Sequence, residues 1–276
     1  MKQLNDKVIV LTGAGSGIGR ALAIRLYQTE HARLALADIN PVQLQETVTM
    51  LGPDIHPDKV RSYPVDVAQR NQVITFANNV QKDFAAVDVL INNAGVSSSG
   101  HVNDLTYETL EWTININLWG VIHMTKALLP HLAKRAEANI VNISSVYGLL
   151  GIPGQAAYCA SKFAVRGFTE ALRQEFHQSN LTVSVVFPGG IQTNIARNSR
   201  TDYPVDHETI QASIRRIEAG FKTTPDEAAR VIIQGIKNKL PRILIGKDAK
   251  KIDWLARINP GDYDRTIARY IAKTHH

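Results

Sequence analysis

Tyr158 and Lys162 stand four residues apart in Tyr158-Cys159-Ala160-Ser161-Lys162, a run that reads as helix. At that spacing a phenol and an ammonium share one helical face and can reach a common point. A free tyrosine titrates near pH ~10, so a phenolate at neutral pH needs about three pK units, or ~4 kcal/mol, of differential stabilisation. A unit positive charge ~5 Å away at an effective dielectric of ~20 contributes ~3 kcal/mol. Lysine therefore covers most of the shift, and a second positive charge would complete it. The chemistry on offer is proton exchange with an oxygen. By itself the spacing favours a plainer reading, two unrelated residues on a solvated helix, so the rest of the chain has to decide. Cys159, one residue on, points roughly 100° away and reads as a packed core side chain, not a nucleophile.

The elements that would position this pair follow from an alternating pattern. The apolar run Lys7 to Thr12 leads at once into Gly13-Ala14-Gly15-Ser16-Gly17-Ile18-Gly19 and an amphipathic helix, Arg20 to Gln28. Strand, glycine turn and helix are the context of a phosphate-binding turn, in which glycines admit a pyrophosphate and the helix N-terminus offers unpaired N–H groups. A second strand, Arg33 to Asp38, ends in a carboxylate about twenty residues past the turn, where an acid can accept hydrogen bonds from an adenosine ribose. Asp38 could instead cap the helix opening at Asn40-Pro41. No Arg or Lys follows Asp38 before Lys59, and a carboxylate repels a 2′-phosphate, so NAD is expected in preference to NADP.

The alternation continues through helix 41–51, strand 60–65, helix 69–83, strand 87–91, a long helix 106–134, strand 139–143, helix 156–179 and strands 181–187 and 241–246. Such alternation predicts a single α/β domain with a doubly wound parallel sheet, helices on both faces and ligands at the C-terminal strand ends. Asn115-Ile116-Asn117-Leu118-Trp119-Gly120 is unusual inside a helix, since Asn is a modest helix former and Gly a poor one. An Asn bonding to backbone beside a kink would account for it.

The chain has 276 residues, enough for one large domain with a sizeable core. No apolar run approaches a membrane span and Met1 to Lys7 lacks a signal peptide's apolar region, so a soluble, cytoplasmic protein is expected. A single cysteine excludes an internal disulfide, and the histidines have no zinc-type spacing, so no metal is expected. The net charge is +6, and residues 239–276 hold nine Lys/Arg against four Asp/Glu, a local surplus of +5. No aromatic-interleaved basic run or nucleic-acid motif accompanies it, which argues against a nucleic-acid partner.

Thr12-Gly13-Ala14-Gly15-Ser16-Gly17-Ile18-Gly19, Asn92-Asn93-Ala94-Gly95, Ser145, Tyr158-xxx-Lys162 and Pro188-Gly189-xxx-xxx-xxx-Thr193, in that order, resemble the short-chain dehydrogenase/reductase family. The resemblance covers residues 5 to about 195 by motif, and strand 241–246 looks like the family's seventh. It implies a seven-stranded Rossmann-type sheet and hydride transfer between a nicotinamide cofactor and an alcohol or carbonyl compound. Tyr158 would be the general acid/base, and Ser145 would hydrogen-bond the same substrate oxygen. Lys162 would lower the phenol's pKa and bind the nicotinamide ribose, while Asn117 would hold a water linking Lys162 to solvent. Asn117 is chosen over Asn115 because the family's helix carries Asn-x-x-Gly and Gly120 fixes that register. For the cofactor, the resemblance places Gly13, Ser16, Gly17, Ile18 and Gly19 at the pyrophosphate turn, Asp38 on the adenosine ribose and Asp66 and Val67 at the adenine. Asn93, Ala94 and Gly95 would lie beside the ribose, and Pro188, Gly189, Ile191 and Thr193 at the nicotinamide. A homodimer or homotetramer built on helices 106–134 and 156–179 is implied as well.

Three segments remain for the substrate: Val96 to Asp104, Val146 to Gln155, and the insert at about 192–224. The second has no Arg or Lys to receive an anion, which favours an apolar alcohol or carbonyl compound, although its apolar residues could equally be core. Asn194 to Asp206, before a helix near 207–220, could close as a lid. Residues 247–276 extend past the point where many chains of the family stop. This basic, helical extension could lie on a membrane, but packing on its own domain or on a partner subunit is preferred. A catalytically silent redox sensor and an NADP-dependent carbonyl reductase remain as alternatives; the intact Ser145, Tyr158 and Lys162 argue against the first. The epimerase or dehydratase branch shares Tyr-xxx-Lys, but there the glycines run Gly-xx-Gly-xx-Gly, unlike Gly13-xxx-Gly17-x-Gly19.

Overall fold

Strand β1 (Val8–Thr12) is buried along its whole length, because both of its faces carry apolar side chains. Ile9 and Leu11 enter one core layer while Val8 and Val10 enter the other, the mark of a strand covered by helices on both sides. Strand β2 (Arg33–Asp38) divides in the same way, with Leu34 and Leu36 on one face and Ala35 and Ala37 on the other. The computed structural model describes all residues except 54, 203–207, 209–211, 213, 214, 216, 217, 264 and 266–276.

The remaining main strands are β3 (Val60–Pro64), β4 (Val89–Asn92), β6 (Ala138–Ile143), β7 (Leu181–Pro188) and β9 (Arg242–Ile245). They form a seven-stranded sheet in the order β3-β2-β1-β4-β6-β7-β9, parallel throughout. Helices α1 (Gly17–Gln28), α2 (Pro41–Leu51) and α7 (Pro225–Lys237) supply the core on one face. Helices α3 (Arg70–Phe84), α5 (Gly120–Leu132) and α6 (Ala156–Glu175) supply it on the other. The winding direction reverses between β1 and β4, which opens a crevice at their C-terminal ends.

The expected long helix 106–134 is three pieces: α4 (Tyr107–Ile114), a π-helical turn (Asn115–Trp119) and α5. Gly120 follows this turn as the first residue of α5, where a Cβ would stand 2.7 Å from a methyl of Val67. A second, two-stranded sheet went unforeseen; it pairs β5 (Ser98–Ser99) with β8 (Arg200–Thr201). The helix expected near 207–220 lies largely outside the described residues. The basic extension begins as helix α8 (Lys247–Ile258), which packs on its own domain: Ile252 joins Leu149, Val185 and Phe187. Its last part, with Ile267, Tyr270 and Ile271, falls outside the described residues. Among the described residues no helix is long and apolar enough to cross a membrane.

Candidate active site

The glycine turn is shaped by close backbone approach. Gly13 has φ +65 and Gly17 φ +50, both in the left-handed region. A Cβ on Gly13 would lie 2.8 Å from Ala94 Cα, and one on Gly19 would run into the Gly13 carbonyl. Ser16 opens α1 without a side-chain cap bond, and the first turn of that helix, which includes Ile18, carries no acid. The positive end of α1 is thereby left for an external anion, as a pyrophosphate-binding turn requires.

Thr12, quoted with the motif but given no role above, ties this turn to the next strand end. Its Oγ1 accepts the N–H groups of Asn93 and Ala94, both at 3.0 Å, while Asn93 Nδ2 donates to the carbonyls of Thr12 and Gly13. Asn40, not Asp38, caps α2, accepting from the N–H groups of Val42 and Gln43. Asp38 instead turns its carboxylate to the glycine turn, accepting from Gly15 N at 2.7 Å and Asn40 N at 2.9 Å. Asp66 accepts from Ala68 N at 2.9 Å, and Val67 is buried against Gly120.

Ser145, just past β6, and Tyr158 and Lys162 on α6 converge at the C-terminal edge of the sheet. Tyr158 is 8% exposed and Lys162 3%, so neither lies on the solvated helix face that spacing alone allowed. The Ser145 side chain is near enough to the Tyr158 phenol to pull its pKa down, and its Oγ accepts the Tyr147 N–H at 3.2 Å. Lys162 Nζ lies 5.7 Å from the centre of the same ring and donates to the Ile143 carbonyl at 3.1 Å. Asn117 is fully buried while Asn115 is exposed, which agrees with the register taken from Gly120. Its amide bridges two elements: Oδ1 accepts Val96 N at 2.8 Å, and Nδ2 donates to Val96 O and to Ser161 Oγ. Any water that Asn117 holds must therefore use what acceptor capacity is left. A Cβ on Gly95 would lie 3.1 Å from Asn117 Oδ1 and 3.3 Å from Lys162 Nζ, so all three residues meet at one point.

The electrostatics correct one expectation. Burial pushes the Tyr158 phenol well above its ordinary range, and the neighbouring Ser145 side chain only partly opposes it. Burial also pulls the Lys162 ammonium down to about 8. Desolvation is the largest influence on the phenol, and the neighbouring Tyr147 and Cys159 add to it, with the Lys162 ammonium 5.7 Å from the ring centre. Lys162 alone does not lower the phenol. Cys159 is buried with its thiol pushed up by desolvation, in keeping with a core role.

Thr193 approaches the start of α1: a Cβ on Gly17 would stand 3.1 Å from its Cγ2. Pro188 and Ile191 are buried beside it. Gly189 has a different reason to be small, since a Cβ there would collide with the carboxylate of Asp248 on α8. The three substrate segments touch one another. Gly100 N donates to Gly154 O at 2.9 Å, Arg200 N to Ser97 O at 3.2 Å and Asp202 N to Ser99 O at 3.0 Å. The Asp202 carboxylate also accepts from Thr106 N at 3.0 Å and from both the Thr106 and Thr109 hydroxyls, and the Arg200 guanidinium lies 3.9 Å from the Trp112 ring centre. Leu149 and Leu150 of the middle loop are core residues, 5% and 2% exposed, so the apolar character of that loop is partly packing. Among the described residues no cluster of three or more His, Cys, Asp or Glu could hold a metal ion.

The motif order and the parallel sheet agree with comparisons across known proteins. Residues 7–204 match the family model described as short chain dehydrogenase. A Mycobacterium tuberculosis protein named as an oxidoreductase, SadH, is 42% identical over 99% of this chain and 98% of its own length. The 3-oxoacyl-[acyl-carrier-protein] reductase FabG of Thermotoga maritima is 33% identical over 84% of this chain and 90% of its own. A short chain dehydrogenase/reductase from Burkholderia phymatum, solved in complex with NAD, superposes with a TM-score of 0.84 at 28% identity, covering 93% of this chain and 95% of that one. The chain belongs to the short-chain dehydrogenase/reductase family. It is an oxidoreductase of that family.

Proposed function

We propose that the protein transfers a hydride between NAD and a hydroxyl or carbonyl carbon of a small apolar compound, with Tyr158 exchanging the proton on the substrate oxygen. The observation that carries this reading is the buried phenol of Tyr158, with Ser145 beside it and the Lys162 ammonium 5.7 Å from its ring centre, at the sheet edge where the glycine turn lies. A nicotinamide ring, when bound, supplies the hydride site and, in its oxidised form, a positive charge. Gly13 to Gly19 and the open end of α1 would take the pyrophosphate, Asp38 the adenosine ribose, Asp66 and Val67 the adenine. Asn93 to Gly95 and Lys162 would line the other ribose, with Pro188, Gly189, Ile191 and Thr193 beside the carboxamide. The acceptor-only charge of Asp38 beside Gly15 supports NAD over NADP, because it favours ribose hydroxyls and repels a 2′-phosphate.

On this reading Tyr158 is neutral until positive charge beside it opposes the desolvation that holds its proton. Ser145 orients the substrate oxygen toward the phenol. Lys162 fixes the ribose and contributes its field while protonated, below pH about 8 in the cofactor-free protein. Asn117 locks the Asn93–Val96 loop to α6 and passes a water-borne proton path to Lys162. The lack of Arg and Lys in 146–155 supports an uncharged substrate, and β8 would form part of a lid over it. The test is Tyr158→Phe, scored on a panel of alcohols, aldehydes and ketones with either nicotinamide. Loss of turnover with dinucleotide affinity retained is expected. Comparable turnover by the variant sinks the proton-transfer role, and faster reaction with NADP than with NAD sinks the Asp38 reading.

A further inference from the structure

Helix α8 and the residues just after it reach both sides of the candidate site, although motif matching stops well before them. On the nicotinamide side, Asp248 in the first turn of α8 accepts the Gly190 N–H at 2.7 Å. The same carboxylate occupies the space that a Gly189 side chain would need, and Gly246, at φ +96, likewise leaves room for it. Gly189 N in turn donates to the Ile245 carbonyl at 3.0 Å, so the Pro188–Ile191 loop is held from β9 and from α8 together. On the substrate side, Ile252 packs on Leu149, and the Tyr263 hydroxyl accepts the Gly151 N–H at 3.3 Å. Helix α8 itself is anchored by the ion pair of Asp253 with Arg242, whose guanidinium also stacks 4.7 Å from the Phe187 ring centre. A carboxylate accepting a backbone N–H is a charge-assisted bond and holds a loop more firmly than a neutral one.

We propose that Asp248, Ile252 and Tyr263 are positioning residues of the active site, Asp248 setting the loop that meets the nicotinamide end of the cofactor, and Ile252 and Tyr263 setting the loop that leads from Ser145 to Tyr158. The extension is then a brace for the two loops and not an appendage. This rests on the dinucleotide site proposed above.

The test measures NAD binding by calorimetry in the full chain, with melting temperature and amide exchange of the cofactor-free protein alongside. Asp248→Ala should weaken NAD binding roughly tenfold, the scale of one bond to a charged group, while the protein still melts cooperatively. Asp248→Asn, whose amide oxygen can still accept from Gly190, should recover most of that loss. Gly189→Ala should weaken NAD binding in the wild-type background and add little once Asp248 is Ala, because the collision is then gone. Tyr263→Phe should raise exchange at Gly151. Equal NAD affinity in wild type and Asp248→Ala, with unaltered melting, overturns the nicotinamide-side assignment; unaltered exchange at Gly151 in Tyr263→Phe overturns the substrate-side one. If Asp248→Ala does not fold, Asp248→Ser, whose short hydroxyl cannot reach Gly190, decides: faster amide exchange at Gly190 supports the contact and unchanged exchange refutes it. A wild type that binds neither NAD nor NADP overturns the proposed function as well, which separates the two failures.

Discussion

Lys162 should cost the cofactor-free protein stability, and the cost should depend on pH in a way that identifies it. Burial holds this ammonium at about 8 against 10.5 for a free lysine. Between those values the folded chain binds fewer protons than the unfolded one, so stability rises with pH through the window and the penalty is fully present below pH about 8. Linkage with these two values gives about 3 kcal/mol of penalty at pH 7 and about 1 kcal/mol at pH 10, a change of about 2 kcal/mol. Lys162→Met removes the titrating group and keeps the bulk. It also loses the bond to the Ile143 carbonyl, about 1 kcal/mol that does not vary with pH and so drops out of the comparison. Urea unfolding of wild type and variant at pH 7, 8, 9 and 10 gives the result directly. The difference in stability should move by about 2 kcal/mol in favour of wild type between pH 7 and 10, while the variant loses turnover throughout. Parallel stability curves would refute the buried-ammonium reasoning. A variant less stable by a constant amount would mean that Lys162 is held for packing.

Three further outcomes follow from contacts around the site. Asn117→Ala removes a bridge of three hydrogen bonds inside the core and should cost about 2–4 kcal/mol in denaturant unfolding, together with faster amide exchange at Val96. Gly120→Ala must displace Val67, so it should lower stability by about 1–3 kcal/mol, and a Val67→Ala partner should relieve that loss in a double-mutant cycle. Asp202→Ala releases the Thr106 and Thr109 contacts that hold β8. Melting should barely change, while trypsin should cut sooner after Arg197 or Arg200, as followed by limited proteolysis and mass spectrometry.

Much of this molecule could be read from residue order. Strand β2 and helix α2 begin and end where the pattern puts them, and most other elements do so within a residue or two, because each strand is a short apolar run and each helix an amphipathic one. Asn117, Ser145, Tyr158 and Lys162 could be named as candidates, since local motifs with fixed spacing carry them. Their burial could not. Tyr-xxx-Lys has the same spacing on a solvated helix as on one sealed against β6 and β7, and only packing reveals that desolvation, not the lysine, dominates the phenol. Gly189 and Gly120 make the same point. Each sits in a recognisable motif, yet the side chains that demand a glycine there, Asp248 and Val67, lie 59 and 53 residues away in sequence.

What the sequence by itself determined was the class of fold and the order of its elements, and it supplied the candidate catalytic residues and the proposal that Asp38 meets a ribose, all of which depend on local pattern and unit charge. What only the tertiary structure decided was where desolvation falls, which loops lean on one another through the small β5–β8 sheet, and that α8 and the residues after it return to Gly190 through Asp248 and to Gly151 through Tyr263. Those contacts join distant parts of the chain. Their energies depend on distance and dielectric, which no spacing along the sequence encodes.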